Sequence, residues 1–401
     1  MHICAIRPHI PQISKLEHNK LIFSKVPTLR FNEFTANWQS TTLKNVCEYR
    51  KIRRTTEKKN YVSTENIMQN FQGIERFIST EYTSGDGFNK NDILMGNIRP
   101  YLKKVCFADF DGVCNADVLV FNSKTINPKF LYYVLANDNF INYVMSSVKG
   151  SKMPRGDKNF IMQYPLSLPS EAEQLKISDF IGCLTKRIQV QNKIISDLKV
   201  LKKELCNRYF KSVHNDDSLE YITLKDILTE RKEYCSKDGT YTHGTLSKEG
   251  VSPKTERYDR DFLVKNEDKQ YKVTHLNDIC YNPANLKFGV ICRNTYGDLI
   301  FSPIYVTFEI ADTVYPAYIE LFLTNANFIG RIRRYEQGTV YERMAVSPED
   351  FLSYETRMPT YEEQVKFADK IQCIQDKIEL ETSFLNYLQK QRKYFLNAMF
   401  I

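Results

Sequence analysis

The chain has 401 residues, a formal charge of +8 and a hydrophobic content of 42%. This length suits two globular domains, and the mild basic excess permits a polyanionic partner such as nucleic acid without requiring one. No apolar run is long enough to cross a membrane, and the 10 cysteines include no CxxC pair, which argues against a zinc site and favours free thiols in a reducing cytoplasm.

The sequence predicts five segments in chain order: an N-terminal arm, a globular block, a long helix, a second globular block and a second long helix. Residues 1–25 are broken by Pro8 and Pro11 and lack the apolar segment of a signal peptide, so we expect an N-terminal arm. Residues 26–169 combine β-rich runs such as GVCNADVLVFN with a helix-like segment at 128–147. Residues 213–359 repeat this layout, with a helix-like segment at 316–334, and both blocks are typical of compact α/β domains.

A long helix is predicted after each block, at residues 170–212 and 360–401. The two segments align without a gap, 169–210 onto 359–400, and both carry apolar residues at alternating steps of four and three. Such a heptad seam favours packing against another helix, and the other copy is the obvious partner. At 1.5 Å per residue, each helix would be about 60 Å long.

Polar residues mark the starts and the middles of both helices. Ser170 with Glu173, and Thr360 with Glu363, have the spacing of a capping box at each start. Gln191 and Glu381 interrupt the seam at equivalent places near the two centres. Antiparallel pairing would bring these two side chains together, where one polar contact could fix the register.

The sequence resembles the specificity subunits of Type I restriction–modification systems. The resemblance is carried by VPTLRFNEFTANWQSTTLKNV at 26–46, by ILMGNIRPYLKKV and GVCNADVLVF, and by GSKMPRGDKNFIMQYPLSLPSEAEQLKISDFIGCLTKRI. A Pro-x-x-x-Glu-Gln element before a long helix occurs twice and is the most specific part. The similarity extends over nearly everything from residue 26 to residue 401.

The resemblance implies an α/β (α+β) fold in which two target recognition domains with mixed or antiparallel sheets are separated by two long antiparallel coiled-coil helices, as a pseudo-two-fold internal repeat. Its segments would be recognition domain 1 at 26–169, spacer helix 1 at 170–212, recognition domain 2 at 213–359 and spacer helix 2 at 360–401. Each recognition domain would bind half of a bipartite, asymmetric site in double-stranded DNA.

The same resemblance implies a subunit without catalytic residues, metal or cofactor of its own. Two modification subunits would supply adenine methylation and dock on the helices, and restriction subunits would add ATP-driven translocation and cleavage. Such a complex works in the cytoplasm, away from membranes.

The residues themselves leave a self-contained methyltransferase or nuclease as the alternative. Its best support is Asn282–Pro283 in DICYNPANLKF, because adenine methyltransferases hold the flipped base with an Asn or Asp followed by two prolines and an aromatic residue. Here the second proline and the aromatic are missing, and no Gly-rich cofactor loop is evident. We therefore interpret this stretch as a strand and turn. A coiled-coil adaptor that binds only protein is a third class.

Two basic, glycine-containing loops are the candidate DNA contacts. They occupy corresponding places near the ends of the two blocks and offer cations, hydroxyls and backbone amides to phosphates. A solvated surface is the competing interpretation for each. The first loop lies in KGSKMPRGDK at 149–158 and the second in RIRRYEQGTVYER at 331–343, and their candidates are Lys149, Ser151, Lys152 and Arg155, and Arg333, Arg334, Gly338, Thr339 and Arg343. Arg99, in GNIRPYL, is a further candidate outside the loops, and it could equally pair with a buried carboxylate.

Overall fold

The computed structural model describes residues 26–76, 79–148, 150, 152–236, 240–248, 250–254, 270–337 and 344–401. The chain divides into two compact units, Met1–Asn192 with Phe384–Ile401, and Lys193–Ser383. Each unit combines helices with mixed or antiparallel sheets, which confirms the predicted α+β class.

The first unit contains two four-stranded sheets and a two-stranded ribbon. One sheet has the order β2-β9-β6-β7 and is antiparallel, the other has the order β3-β5-β8-β4, and β1 pairs with β10. The strands are β1 (Gln39–Thr42), β2 (Cys47–Tyr49), β3 (Arg53–Glu57), β4 (Tyr61–Val62), β5 (Tyr82–Phe88), β6 (Ile93–Gly96), β7 (Val105–Phe107), β8 (Gly112–Cys114), β9 (Val118–Ser123) and β10 (Pro165–Leu168). The helices are α1 (Leu43–Val46), α2 (Pro128–Leu135), α3 (Asp138–Ser146), α4 (Lys158–Ile161) and the start of α5 (Glu171–His214).

The second unit repeats this plan with different lengths. Its antiparallel sheet has the order β12-β20-β17-β18, its second sheet has the order β13-β16-β19-β14-β15, and β11 pairs with β21. The strands are β11 (Tyr221–Thr223), β12 (Leu228–Glu230), β13 (Tyr234–Cys235), β14 (Thr242–Ser247), β15 (Gly250–Pro253), β16 (Tyr271–Thr274), β17 (Ile279–Tyr281), β18 (Ile291–Arg293), β19 (Leu299–Phe301), β20 (Val306–Ile310) and β21 (Glu355–Arg357). The helices are α6 (Pro316–Leu323), α7 (Ala326–Ile332), α8 (Pro348–Leu352) and α9 (Tyr361–Met399).

Each helix-like segment of the blocks is two short helices rather than one. In the first unit the Asn137 side chain accepts a hydrogen bond from the backbone of Asn139 at 2.9 Å and starts α3 anew. In the second unit Asn325 does the same for Asn327, also at 2.9 Å. Asparagine competes with the helical backbone for hydrogen bonds, so it caps a new helix at these points.

An arginine–aspartate pair occurs at the same place in both units. Arg50 donates to Asp92 from Nε at 2.6 Å and from Nη2 at 3.0 Å, and Arg231 donates to Asp278 at 2.8 and 3.0 Å. Both carboxylates are 3% exposed, and hydrogen bonding to them raises the pKa of each arginine. This bidentate pair, which we call the clasp, joins the edge strand of the antiparallel sheet to the turn before its third strand.

The two long helices run antiparallel to each other within each unit. In the first unit the ring of Phe180 packs on that of Phe395 at 4.9 Å, while Arg187, later in α5, lies over Phe384, earlier in α9. In the second unit the ring of Tyr209 stacks on that of Phe367 at 3.6 Å. The predicted antiparallel coiled coil is confirmed, and the seam residues are the shielded ones along both helices.

Only one of the two predicted capping boxes is complete. Thr360 and Glu363 exchange the expected bonds, with the Thr360 backbone donating to the Glu363 carboxylate at 3.1 Å. At α5 the Glu173 backbone donates to Ser170, but the Glu173 carboxylate is buried and accepts from Arg30 at 2.7 and 2.8 Å. A stronger, charged partner replaces the cap at the first helix.

The cores of both units include the long helices. In the first unit Ile177 and Ile181 of α5 and Met399 of α9 are buried with Phe130 and Phe140. In the second unit, Phe210 of α5 and Phe367 and Ile371 of α9 are buried with Tyr318. Among the described residues, no helix combines the length and apolarity needed to cross a membrane.

Candidate nucleic-acid interface

The first basic loop and Arg99 lie together in the first unit. The Arg99 backbone N–H donates to the carbonyl of Pro154 at 2.8 Å, and Ile98 and Arg155 form an antiparallel bridge. The segment after β6 and the loop before α4 are therefore hydrogen-bonded neighbours, although 50 or so residues separate them in the chain. Arg99, Lys152 and Arg155, three predicted contacts, belong to one surface.

The backbone at Arg99 is strained. Its φ of 53° and that of Lys103, 54°, are left-handed, and the two residues flank a 3-10 turn at Pro100–Leu102. The Leu102 N–H donates to the Arg99 carbonyl at 2.9 Å, which closes the turn. Left-handed residues other than glycine are costly and persist where the surroundings hold them, as they do at binding sites.

The three cations differ in how far they are already neutralised. Arg155 donates to Asp117 from Nη2 at 3.0 Å and from Nε at 3.2 Å, and both side chains are partly exposed. The side chains of Arg99 and Lys152 are exposed and have no hydrogen-bond or ion-pair partner within the described part of the chain. They are the cations most available to a phosphate.

The base of this loop is rigid because Gly156 is packed tightly. A Cβ at this position would lie 2.8 Å from Cγ1 of Val144 and 3.1 Å from Oδ1 of Asn97. Asn97 is itself buried, donates from Nδ2 to the Gly156 carbonyl at 3.3 Å, and its backbone N–H donates to the carbonyl of Asp117 at 2.8 Å. The loop is thereby positioned by the end of β6.

The second basic loop starts and ends at an equivalent anchor in the second unit. Gln337 and Ala345 exchange backbone hydrogen bonds at 2.9 and 3.0 Å, and the Val346 N–H donates to the carbonyl of Pro283, just after β17. The hydroxyl of Tyr281 donates to the carbonyl of Val346 at 3.1 Å. In both units the loop is thus joined to the turn that follows the third strand of the antiparallel sheet.

Several predicted contacts lie outside the described residues. They are Lys149 and Ser151 in the first loop, and Gly338, Thr339 and Arg343 in the second. Arg333 and Arg334 are described and exposed: they follow α7 in a 3-10 turn, where Arg333 lies 3.7 Å from the Glu336 carboxylate and Arg334 Nε donates to the carbonyl of Arg331 at 3.0 Å. Both precede the anchor at Gln337 by a few residues.

The register residues Gln191 and Glu381 differ in exposure. Gln191 is 5% exposed, and Glu381 is partly shielded and forms an ion pair with Lys377 one turn earlier at 2.5 Å. Their mutual contact stays a prediction.

The methyltransferase-like stretch is a strand end and a turn. Tyr281 ends β17, and Asn282 Oδ1 accepts a hydrogen bond from the backbone of Ala284 at 3.1 Å, which caps a 3-10 helix at Pro283–Phe288. Asn282 is only 7% exposed. Its amide supports the local backbone, as interpreted from the sequence.

Two exposed apolar residues, not among the predicted contacts, lie beside the cations Arg99 and Lys152. Tyr101 and Met153, each 49% exposed, flank the bonded pair Arg99 and Pro154. The sequence signal for Met153 is an apolar residue within a basic loop that also contains Gly and Pro. Such side chains can contact base edges and thymine methyl groups.

The fold and this surface define a class of protein, one in which two blocks, each with a loop anchored beside its antiparallel sheet, alternate with long antiparallel helices. Residues 35–200 match the family model described as Type I restriction modification DNA specificity domain. Within the described residues, no group of three His, Cys, Asp or Glu side chains could hold a metal ion.

Comparisons with known proteins agree with this class. The chain is 32% identical over 90 residues to the EcoDI specificity subunit of a Type I restriction enzyme from Escherichia coli, a match covering 22% of this chain and 20% of that protein. The match therefore spans about a fifth of the relative's length. Both sequence matches are to Type I specificity proteins, so they bear out the resemblance predicted from the sequence.

Two solved structures share the fold. One is a Type I restriction–modification S subunit from M. genitalium, with a TM-score of 0.55, 14% identity, and coverage of 94% of this chain and 99% of that one. The other is a chain described under "Structural basis underlying complex assembly and conformational transition of the type I R-M system", with a TM-score of 0.56, 14% identity, and coverage of 91% and 98%.

Proposed function

We propose that the chain is the DNA sequence-specificity subunit of a Type I restriction–modification complex, and that each block binds one half of a bipartite, asymmetric site. The observation that carries this proposal is the surface of Arg99, Lys152 and Arg155, held on a rigid base inside the residues that match the specificity domain. Two exposed cations and one partly neutralised cation beside two exposed apolar side chains suit a phosphate-and-base interface.

The division of labour follows from the side chains. Arg99 and Lys152 neutralise backbone phosphates and position the duplex, while Arg155 is held in place by Asp117 until DNA arrives. Tyr101 and Met153 lie where they can touch base edges, so they contribute to sequence readout. Lys149 and Ser151 extend the same loop. In the second block Arg333, Arg334, Gly338, Thr339 and Arg343 act on the other half-site.

The proposed segments are the arm at 1–25, recognition domains at 26–169 and 213–359, and spacer helices at 170–212 and 360–401. The helices set the number of unread base pairs between half-sites and dock two modification subunits, to which restriction subunits are added. The chain contributes no catalytic group and needs no cofactor of its own. Free thiols such as Cys47, Cys106 and Cys280 lie in the cores of the two units, which suits the cytoplasmic location of such a complex.

The test is binding and methylation by the assembled complex. Methylome sequencing of cells that carry this chain with its modification partner should show methylated adenines in a split, asymmetric sequence, and filter binding should show preference for that sequence. Binding to proteins without any affinity for DNA would instead identify the coiled-coil adaptor.

The alternative is a self-contained methyltransferase or nuclease, and the surroundings of Asn282 argue against the methyltransferase. Its amide is buried and bonded to the local backbone, so it is not presented to a flipped base. We expect the purified chain to transfer no methyl group from labelled S-adenosylmethionine to DNA. Transfer by the chain free of modification subunit, abolished by Asn282→Ala, would establish the alternative.

A further inference from the structure

A polar cavity of about 350 Å³ lies in the first unit, apart from the basic surface. Four parts of the unit line it: the loop at Asn70 and Phe71, Lys103 at the end of the 3-10 turn, the start of α3, and facing stretches of α5 and α9. Its volume is at the low end of the range for small-molecule sites, about 300–1,000 Å³.

The charged residues of the cavity give it a net positive lining. Lys103, Arg392 and Lys393 are its cations and Asp138 is its one carboxylate. Asp138 accepts from Lys103 Nζ at 2.7 Å and from Lys393 Nζ at 3.1 Å, so one negative charge serves two ammonium groups. Each ammonium keeps donors that this carboxylate does not use.

Arg392 offers a donor that the helix pairing does not need. Its Nε donates to Thr185 Oγ1 of the facing helix at 3.2 Å, its guanidinium also interacts with the Tyr132 hydroxyl, and its Nη2 is buried without a hydrogen bond of good geometry among the described residues. At the equivalent position of the second unit, 190 residues earlier, Lys202 makes the corresponding interhelical bond to Gln375 at 2.9 Å. A lysine is therefore sufficient for the scaffold, so the arginine at 392 places beside the cavity a guanidinium that helix pairing does not require, and a guanidinium suits an anionic ligand.

Strained backbone adjoins the same cavity. Asn70, Phe71 and Lys103 have φ values of 55°, 62° and 54°. The N–H groups of Asn70 and Phe71 donate to the carbonyls of Leu102 and Lys103 at 3.2 and 3.1 Å, which holds the two strained segments together. A bulky aromatic residue in this conformation is unfavourable and marks sites where geometry serves binding.

We propose that this cavity binds a small phosphorylated molecule of mononucleotide size, whose phosphate is held by the guanidinium of Arg392 and the ammonium groups of Lys103 and Lys393. A phosphate suits a guanidinium and two ammonium groups better than a neutral ligand does. Amide side chains of the lining, those of Gln72 and Gln189 among them, serve the rest of the ligand. The site is separate from DNA recognition, and its ligand would connect the turn after Arg99 to both long helices.

The experiment measures the melting temperature of the full-length chain against increasing AMP, inorganic phosphate or adenosine. AMP and phosphate should raise the melting temperature with concentration, and adenosine should not. Arg392→Lys should weaken the apparent affinity for AMP by about tenfold or more, since one charge-assisted hydrogen bond is lost. It should keep the interhelical bond, as Lys202 does.

Two further variants complete the test. Lys202→Arg, the matched control in the second unit, should bind AMP as the wild type does, and Lys393→Ala, a change at a largely exposed side chain, should weaken AMP binding independently of Arg392. An Arg392→Lys protein that responds to AMP like the wild type would overturn the assignment. So would adenosine acting as strongly as AMP, or no response of the wild type to AMP and phosphate. Phosphate that stabilises only by exclusion from the protein surface would raise the melting temperatures of the wild type and of Arg392→Lys equally, and that result would also overturn the assignment.

Discussion

Removing the two unpaired cations of the basic surface is the sharpest test of how the first block holds DNA. Arg99 and Lys152 are exposed and have no partner in the described part of the chain, so each is free to displace a counterion from a phosphate. We expect Arg99→Ala with Lys152→Ala to weaken binding to all sequences. The slope of log affinity against log salt should become shallower by about 1.8, which is two contacts at about 0.9 each.

Arg155 should behave differently because Asp117 already neutralises much of its charge. Arg155→Ala alone should change the salt slope by clearly less than one contact. Asp117→Asn, which releases the guanidinium, should strengthen binding and steepen the slope. These opposite signs follow from the 3.0 Å pair between Arg155 and Asp117.

The assay is filter binding of the assembled complex to its mapped site at several salt concentrations. Lys90→Ala is the matched control, because Lys90 is an exposed cation just before β6, whereas Arg99 follows the opposite end of that strand. A double variant with the wild-type slope, or a Lys90 variant with the same loss, would refute the placement of DNA on this surface.

Three further predictions concern the scaffold. Asp92→Asn should lower the free energy of unfolding by about 3 kcal/mol, at the low end for breaking a buried ion pair because the Arg50 side chain is 16% exposed. Urea unfolding followed by the fluorescence of Trp38 measures this loss. A loss below about 1 kcal/mol would contradict the role of the clasp. Deleting one heptad from each long helix, residues 189–195 and 379–385, shortens the scaffold by about 10 Å, or about three base pairs, so methylation should move to a smaller gap or disappear; methylation mapped to the parental gap at parental efficiency would show that the helices do not measure DNA. Burial lowers the pKa of His275, but hydrogen bonds to Asp298 and Glu233 outweigh it and raise the pKa above its ordinary value of about 6.5. The stabilisation from these bonds is therefore complete below about pH 6.5 and is lost as the pH rises through the raised pKa. The unfolding midpoints of the wild type and His275→Gln should diverge at acid pH and converge at alkaline pH, and parallel curves would disprove this prediction.

The long helices were predictable because their signal is periodic and occurs twice. A seam residue such as Ile181 or Ile371 repeats the same spacing in both copies, so chance agreement is small. The antiparallel direction came from the family resemblance, because a heptad seam alone allows parallel or antiparallel pairing. The partner of the Glu173 carboxylate was harder to predict. Glu173 has the spacing of a capping box, but its carboxylate accepts a hydrogen bond from Arg30, which is remote in sequence.

The candidate site was only partly predictable, since its parts are joined by long-range hydrogen bonds. Nothing in the local sequence pairs Arg99 with Pro154, so the sequence alone does not place Arg99 beside the first basic loop. The clasp does have a sequence signal. Both blocks contain the dipeptide Arg-Lys and, about 40 to 50 residues later, the dipeptide Asn-Asp. The Asn of each, Asn91 and Asn277, has a left-handed φ of 75° and 73°.

The segment near residue 28 has a consequence for how the protein is made. The Leu29 N–H and the Thr28 hydroxyl both donate to the carbonyl of Ala398, at 2.9 and 3.1 Å, so the first unit includes a strip of chain synthesised long after the rest of it. Between Asn192 and Phe384 the ribosome must produce the whole second unit, which takes about 10–40 s at about 5–20 residues per second.

During that interval the exposed flank of the first unit awaits Leu396 and Met399, the α9 residues that are buried in its core. The second unit, which is contiguous in sequence, can close while translation continues. Vectorial synthesis therefore favours a fixed order in which the block made second is finished first, and truncation before α9 ends would leave the block made first without part of its core.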